Sequence, residues 1–311
     1  MTVHRATSIG DAVAATGDYR AGGTDLQERL RHDLRPRRLV DLARLDELTR
    51  IEPSDDGGVT VGALVTVATG ATELAASHPA VARTAAGLAT PQVRAVATIG
   101  GNLTQRTRCW YFRHPALSCF KSGGDGCPAR GGDHSLGVVV DLGPCVHPHP
   151  SSIGMALLAS DAQISVSGRG RMPVADLWGD GSDPRHDHQL IGGELLTHVH
   201  LPPAWPGERA AYVRTISRFA AEWPLVEAVA RVVLDDDVIS HAAVAVGGVA
   251  TIPLRLPLVE AALVGSAATA ETLAAAAAAA TDGARPLPRT GYKIDLLAAT
   301  VLEVLERATA R

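Results

Sequence analysis

All four cysteines of this 311-residue chain lie within one short stretch: Cys109, Cys119, Cys127 and Cys145. Four thiolates can bind a tetrahedral zinc ion or occupy the corners of a 4Fe-4S cluster. No two of them are separated by only two residues, so the spacing matches neither a zinc ribbon nor a compact ferredoxin and does not identify the metal. The cysteines predict a metal site, with reduced thiols or a disulfide pair as the alternative.

Histidines and arginines accompany the cysteines. The histidines that could compete as metal ligands are His114, His134, His147 and His149, and His147, two residues after Cys145, is the candidate for a Cys3His site. The arginines around the first cysteine are Arg106, Arg108 and Arg113. Because nearby positive charge favours a thiolate, we expect these arginines to lower the pKa of the Cys109 thiol.

Two glycine pairs stand at the starts of predicted helices, in the segments 21–26 and 98–102. Glycine lets a diphosphate approach the backbone, and free N–H groups at a helix start attract its charge. Thr24 and Gln27 have the spacing of a capping box. Two such loops favour a ligand with an extended phosphate-bearing spine, and two unrelated structural turns are the alternative.

The elements that position these loops alternate between strands and helices. We predict strands at 19–21, 39–42 and 59–63, and helices at 25–30 and 65–88, the latter broken at His78. Residues 104–149 have few periodic apolar positions, so this stretch reads as an insertion whose fold is set by something other than an apolar core. A helix at 153–158 and a strand at 162–166 follow.

A second domain is predicted to begin at Glu194, so the domains are 1–193, with 104–149 as an insert, and 194–311. In the second domain we expect strands at 195–201 and 239–246, and a helix or strand at 225–234. Helices are predicted at 259–263, 273–280 and 296–308.

Composition narrows the classes of partner. The chain has 29 Lys and Arg against 33 Asp and Glu, a net charge of -4, which argues against nucleic acid as a partner. No apolar run is long enough for a membrane-spanning helix and the N-terminus lacks a signal-peptide pattern, so we expect no membrane insertion. Hydrolase motifs built on Gly-x-Ser-x-Gly or His-Glu-x-x-His are missing from the sequence.

Several segments carry a family resemblance. AGGTDL at 21–26, LVDL at 39–42, VGALVT at 61–66, VRAVATIGGNL at 93–103, VAVGGVATIPLR at 244–255 and GYKIDL at 291–296 resemble the FAD-binding medium subunit of the molybdenum hydroxylases, the xanthine dehydrogenase and aldehyde oxidoreductase family. The cysteine-bearing segments at 105–120 and 124–129 are similar to the periplasmic aldehyde oxidoreductase branch, whose FAD subunit carries an inserted 4Fe-4S cluster.

The resemblance implies an α+β fold: a two-part FAD-binding domain of the PCMH type, with mixed sheets and helices, and a smaller C-terminal α+β domain like that of the CO dehydrogenase flavoprotein. It also implies a heterotrimer. A large molybdopterin subunit oxidises the substrate, a small subunit with 2Fe-2S clusters relays electrons, and this subunit passes them through FAD to an external acceptor, with no catalytic side chain of its own. Such a complex is cytoplasmic, or periplasmic if a signal-bearing partner exports it.

The resemblance implies cluster ligands at all four cysteines and FAD contacts at Ala21, Gly22, Gly23, Thr24, Asp25, Leu26, Thr98, Gly100, Gly101, Asn102, Ser152, Leu196 and Lys293. The chain departs from the family at Ser152, where an aspartate is usual, and in the stretch 217–224. Ser152 can form a hydrogen bond but supplies no charge. The alternatives are a zinc-stabilised binding or scaffold protein and a stand-alone FAD oxidoreductase, the latter disfavoured because no flavin-linking histidine is present.

Overall fold

The computed structural model of the chain describes residues 1–32, 34, 36–217 and 222–310. The strands in that part are β1 Thr2–Arg5, β2 Asp18–Arg20, β3 Arg38–Asp41, β4 Ile51–Pro53, β5 Val59–Gly62, β6 Gln163–Val166, β7 Gly170–Pro173, β8 Leu196–Leu201, β9 Arg209–Thr215, β10 Val226–Asp235, β11 Val238–Gly247 and β12 Leu254–Arg255. The α-helices are α1 Ile9–Ala15, α2 Thr24–Arg31, α3 Val67–Glu73, α4 Pro79–Gly87, α5 Pro91–Arg94, α6 Ile99–Leu103, α7 Trp110–Arg113, α8 Pro128–Gly131, α9 Ser152–Ala159, α10 Pro257–Leu263, α11 Ala270–Ala278 and α12 Tyr292–Thr309. Short 3-10 turns lie at Asp46–Thr49, Phe120–Ser122, Val174–Leu177 and Ala279–Thr281.

The described strands form three sheets. A small parallel sheet has the order β1-β3-β2, a five-stranded antiparallel sheet has the order β4-β5-β8-β6-β7, and a four-stranded antiparallel sheet has the order β12-β11-β10-β9. Helices pack on each sheet, so the predicted α+β class with two sheet-bearing parts is confirmed.

The strand β8 belongs to the five-stranded sheet of the first half. It pairs with β5 through Val61 and Val199 and with β6 through Ile164 and Val199, in the middle of the five-stranded sheet. The predicted division after residue 193 falls before this strand, and the four-stranded sheet begins only at Arg209. The segment 225–234, predicted as helix or strand, is the strand β10, whose Val-rich sequence is buried along most of its length.

Two large apolar cores hold the molecule together. One lies between the five-stranded sheet and α3, α4, α6 and α9. Leu103, Ile153 and Met155 are fully buried in it. The other lies between the four-stranded sheet and α10, α11 and α12, around Val244 and Val304. No described helix combines the length and the apolar character needed to cross a membrane.

The insert has little regular structure of its own, as the sequence predicts. It contains only α7, α8 and one 3-10 turn, and its apolar cluster joins Phe112, Ala129 and Val138 to three of the cysteines, Cys109, Cys119 and Cys127. Its second half is fastened to the C-terminal part by backbone bonds, from Val139 N to Val249 O at 2.9 Å and from Arg285 N to Val139 O at 2.8 Å. The insert therefore lies against both halves of the chain.

Candidate functional site

The first glycine loop turns sharply from β2 into α2. Gly23 has φ +74°, a left-handed conformation, and stands at the N-cap position of α2 with no side-chain cap. The predicted capping box of Thr24 and Gln27 is therefore wrong, because Thr24 is already inside the helix. The first-turn N–H groups of α2 donate no hydrogen bond to a capping side chain, and such free donors at a helix start can bind an anion.

The second glycine loop packs directly against the first. A Cβ on Gly22 would lie 1.7 Å from the Val96 carbonyl oxygen, so only glycine allows the two backbones to approach so closely. In this second loop, Thr98 Oγ1 accepts from Gly101 N at 3.1 Å, and Gly100 N donates to Ala63 O at 2.8 Å. Those N–H groups are used inside the protein. The loop offers its exposed Gly101 backbone and the amide of Asn102, whose oxygen accepts from Ser151 Oγ at 2.8 Å.

Two cavities meet at Gly101 and together form a groove. The Asn102 cavity, of about 230 Å³, is lined by residues that include Thr24, Asp25, Gly101, Asn102 and Ser152. The Leu196 cavity, of about 290 Å³, is lined by residues that include Ala21, Thr98, Gly100, Gly101 and Leu196. The glycine loops lie between them, so an extended ligand in the groove would pass over both loops.

Two arginine side chains along the groove have N–H donors that form no hydrogen bond with the described residues. Arg108 Nε and Arg214 Nε are buried and have no hydrogen-bond partner among the described residues, and both side chains line the Asn102 cavity. A buried donor without a partner is costly, so it marks a place where a ligand acceptor fits. The groove therefore suits a polyanionic, elongated ligand such as a dinucleotide diphosphate.

Four predicted flavin contacts are not among the residues that line the two cavities of the groove. Gly22 is held against Val96, Gly23 forms the turn, and Leu26 is buried in the protein. Lys293 lies in a separate cavity of about 130 Å³, here called the Lys293 cavity. The Lys293 cavity shares Arg108, Trp223 and Pro224 with the Asn102 cavity. Within the stretch 217–224, residues 218–221 lie outside the described residues.

Ser152 has an acidic neighbour, Glu227. Glu227 on β10 is 1% exposed, and its carboxyl accepts from Tyr212 Oη at 2.7 Å. Burial raises the pKa of Glu227, against hydrogen bonds from Tyr212 and Ser152 that lower it. Sequence reasoning missed this acid because it lies far from Ser152 in the chain.

All four cysteines line one small cavity, together with His147 and Lys121. The thiols are free, and three of them are buried while Cys127 is half-buried. Burial raises the pKa of Cys109, and it raises the pKa of Cys145 to about 11. The expectation that arginines lower the pKa of Cys109 is therefore wrong. Among the described residues, no three His, Cys, Asp or Glu side chains are arranged to hold one metal ion.

The remaining histidines have other surroundings. His134 is buried, with Nδ1 at 3.0 Å from Ala129 O and Nε2 accepting from Arg289 N at 3.3 Å. His114 is exposed, and His149 packs at 5.5 Å from the Trp178 ring. Only His147 of the four lines the cysteine cavity.

The arginines of the insert are paired with carboxylates instead. Asp25 Oδ1 lies 2.9 Å from Arg108 Nη1 and 2.9 Å from Arg113 Nη2, and Glu28 contacts both arginines. Asp25 also lies 3.2 Å from Arg29. We call this group the Asp25 clamp. It ties α2, the helix that follows the first glycine loop, to the segment on either side of Cys109.

A second ion network links the cysteine cavity to the groove. Asp187 is bonded to Arg106 Nε at 2.6 Å and to Lys121 Nζ at 3.0 Å. Lys121 lines the cysteine cavity and Arg106 lines the Leu196 cavity. The two cations hold the pKa of Asp187 below its ordinary value despite burial. No local sequence pattern indicates this network, because its members are brought together only by the tertiary fold.

Comparisons with known proteins agree with this geometry. Residues 1–204 match the family described as the FAD binding domain in molybdopterin dehydrogenase, and residues 211–308 match the CO dehydrogenase flavoprotein C-terminal domain. The aldehyde oxidoreductase FAD-binding subunit PaoB of Escherichia coli K12 is 34% identical, over 94% of this chain and 91% of that protein. The 6-hydroxypseudooxynicotine dehydrogenase complex subunit alpha of Paenarthrobacter nicotinovorans is 26% identical, over 94% and 85%.

Solved structures share the fold. A chain of carbon monoxide dehydrogenase from Hydrogenophaga pseudoflava superposes with a TM-score of 0.77 at 24% identity, covering 100% of this chain and 97% of that one. A chain of quinoline 2-oxidoreductase from Pseudomonas putida 86 also gives 0.77, at 21% identity, over 99% and 96%. On its sequence matches, the chain belongs to the FAD-binding subunits of the molybdopterin-dependent dehydrogenases and is an oxidoreductase subunit of that family.

Proposed function

We propose that this chain is the electron-transfer subunit of a three-subunit molybdenum hydroxylase, with FAD in the groove and a 4Fe-4S cluster on Cys109, Cys119, Cys127 and Cys145. The observation that carries the proposal is the close packing of the two glycine loops, Gly22 against Val96, along one groove with unpartnered arginine donors. The thirteen flavin contacts implied by the resemblance stay predictions within it.

Bound FAD would accept electrons one at a time from iron-sulfur clusters and release them singly or as a pair, which would let such a subunit connect single-electron carriers to an external acceptor. The residues of the chain would bind the cofactor and orient it. Arg108 Nε and Arg214 Nε are placed to donate to phosphate oxygens, and the uncapped start of α2 adds its N–H groups. Leu196 and Ala21 supply an apolar wall, and Asn102 offers its amide NH2.

The cysteine cavity fits a cluster by its donor set. Four free thiols face one space, and the Lys121 amine lies beside it to offset part of the negative charge of bound thiolates. Because burial raises the pKa of Cys109 and Cys145, metal binding has to supply the free energy of their deprotonation. A zinc site on the same residues is the competing function.

The proposed partners are a large molybdopterin subunit, which holds the substrate, and a small 2Fe-2S subunit, which delivers electrons. The relatives support a multi-subunit assembly, since one is an FAD-binding subunit and another is a subunit of a dehydrogenase complex. The electrons leave through FAD to an external acceptor. The likeness of the insert to the periplasmic branch favours export with a signal-bearing partner, and cell fractionation with that signal intact and deleted distinguishes a periplasmic from a cytoplasmic complex.

The test is reconstitution of the full chain with FAD, iron and sulfide under anaerobic conditions, followed by cofactor analysis. We expect about one flavin and about four irons per chain, as a four-cysteine cubane requires. Stoichiometric zinc with no flavin would establish the scaffold alternative instead. Flavin binding without any iron would contradict the proposed cluster and leave the proposed role as a flavin-binding subunit standing.

A cysteine variant tests the ligand assignment. Cys119→Ser should lower iron content to near zero, while Ser118→Ala, which changes the exposed neighbouring residue, should retain the wild-type iron content. Iron retention by Cys119→Ser would show that another residue supplies the fourth ligand, and His147 would then be the first candidate.

A further inference from the structure

The Lys293 cavity is separate from the two cavities of the groove, although Lys293 itself is one of the thirteen flavin contacts that the resemblance implies. It has a volume of about 130 Å³ and lies where the insert meets the C-terminal part, with Trp110 and Leu136 on one side and Leu225 and Gly248 on the other. A cavity of about 150 Å³ lined by apolar side chains holds one benzene ring. The space therefore fits a single six-membered ring.

The rim of this cavity is unusually apolar for a protein surface. Trp110 is 74% exposed, Trp223 46% and Leu136 42%, and all three side chains line the cavity. Single exposed apolar side chains are common on protein surfaces, whereas a cluster of them around a concave site indicates a ligand site. Tryptophan faces favour a flat aromatic ligand over an aliphatic one.

Two buried donors face this mostly apolar space. Lys293 is 1% exposed, and its amine donates to Gly248 O at 2.9 Å and to Leu136 O at 3.3 Å, two neutral carbonyls. In its ammonium form Lys293 has a third hydrogen to donate. His149 accepts from Ser151 N at Nδ1, which puts the ring hydrogen of the neutral imidazole on Nε2.

His149 Nε2 is the second observation that points to a ligand. It is buried and forms no hydrogen bond of ordinary geometry among the described residues, although the backbone of Asp187 lies close to the ring, and His149 lines the cavity. Burial holds the pKa of His149 at about 4, so this group is a neutral donor at physiological pH. An oxygen atom on a bound ring would satisfy it.

Glu227 disfavours an anionic ligand, and of the two cations that also line the cavity, Lys293 and Arg108, the arginine is already paired with Asp25 and Glu28. Glu227 lines the cavity, and a carboxylate ligand would bring a second carboxyl group beside it. Two carboxyl groups in one buried site disfavour ionisation of both. A neutral oxygen substituent meets no such penalty.

We propose that the Lys293 cavity is a binding site for a neutral single aromatic ring with an oxygen substituent, of the phenol and quinone class, whose oxygen accepts hydrogen bonds from Lys293 and His149. The site is distinct from the flavin groove, which it adjoins at Arg108, Trp223 and Pro224, and His147 is common to it and to the cysteine cavity.

Phenol and toluene, which have the same shape, test the proposal in ligand-observed NMR titrations of the full-length protein. We expect phenol to bind at least tenfold more tightly than toluene. Leu136→Trp, which fills the cavity, should weaken phenol binding at least tenfold, whereas Leu117→Trp, on an insert residue that is 41% exposed and outside the cavity, should change it less than twofold.

The donor role has its own readout. Lys293→Met should weaken phenol binding to the level of toluene and leave toluene binding unchanged, a difference that mere loss of structure would not produce. If Lys293→Met does not fold, His149→Phe provides the same comparison. Equal binding of phenol and toluene to the wild type, equal effects of the two tryptophan variants, or tighter binding of benzoate than of phenol would each overturn the proposal.

Discussion

At the scale of single residues, Lys293 is a buried cation without a carboxylate partner in its hydrogen bonds. Burial lowers its pKa from 10.5 to about 7. Between these two values the unfolded chain binds a proton that the folded chain does not, so the free energy of unfolding rises with pH in that window. Below about pH 7 both states are protonated, and the penalty for burying the charge is present in full.

Lys293→Met should remove this pH dependence. Between pH 7 and pH 9 we expect the free energy of unfolding of the wild type to rise by about 2 kcal/mol more than that of the variant, because one pKa unit corresponds to about 1.4 kcal/mol. Urea denaturation at the two pH values measures the difference. Parallel changes in both proteins would mean that Lys293 titrates at its ordinary pKa in the fold.

The Asp25 clamp makes a second prediction at this scale. Asp25→Asn removes one negative charge beside Arg108 and Arg113, which are nearly buried. We therefore expect a loss of about 3 kcal/mol in the free energy of unfolding. Asp18→Asn is the matched control, since Asp18 is half-exposed and its ion pair among the described residues is with Arg29, at 3.1 Å. The control should cost less than about 1 kcal/mol. An equal effect of both substitutions in denaturation would contradict a structural role of the clamp.

At the scale of elements, the contact between the two glycine loops determines the shape of the groove. Gly22→Ala would force the first loop away from Val96, because the added Cβ has no space. We expect the affinity for FAD, followed by the quenching of flavin fluorescence, to fall at least tenfold.

Gly192→Ala is the control for this prediction. Gly192 lines the same Leu196 cavity, and a Cβ there would meet nothing within 4 Å. The affinity of Gly192→Ala for FAD should stay within about threefold of the wild type. If Gly22→Ala binds FAD as tightly as Gly192→Ala does, the close approach of the loops has no bearing on the ligand.

Local sequence signals predict most helices and strands, but they do not predict which distant residues contact one another. The strands at 39–42 and 59–63 and the break at His78 follow from apolar patterns and proline chemistry, which act over a few residues. Thr24 was misassigned as a cap because Gly23, in a left-handed conformation, already occupies the N-cap position. The partners of Asp25, Asp187 and Glu227 lie far away in the chain, so no local pattern could have indicated them.

At the scale of the whole molecule, Arg231 joins the two halves of the chain. It forms a two-pronged ion pair with Glu208, with contacts of 2.6 and 3.1 Å, stacks on Trp205, and donates to Ala159 O at 2.9 Å. Ala159 ends α9 of the first half, whereas Arg231 lies on β10 of the second. Both charged side chains are at most 4% exposed.

Arg231→Met should therefore weaken the union of the two halves. We expect a loss of about 3–5 kcal/mol, the range for breaking a buried ion pair, and a broader or divided transition in calorimetry. Arg307→Met, which removes an exposed pair with Glu303 on α12, should cost less than about 0.5 kcal/mol. A single sharp transition at the wild-type temperature would show that the apolar contacts alone hold the halves together.

The Asp25 clamp has a consequence for how the cell makes this protein. Arg108 and Arg113 flank Cys109, one of the proposed cluster ligands, and they contact the helix that begins at the first glycine loop. Iron supply during biosynthesis should therefore govern flavin retention as well. Cells starved of iron should accumulate a form depleted in both cofactors, and added riboflavin alone should not restore it.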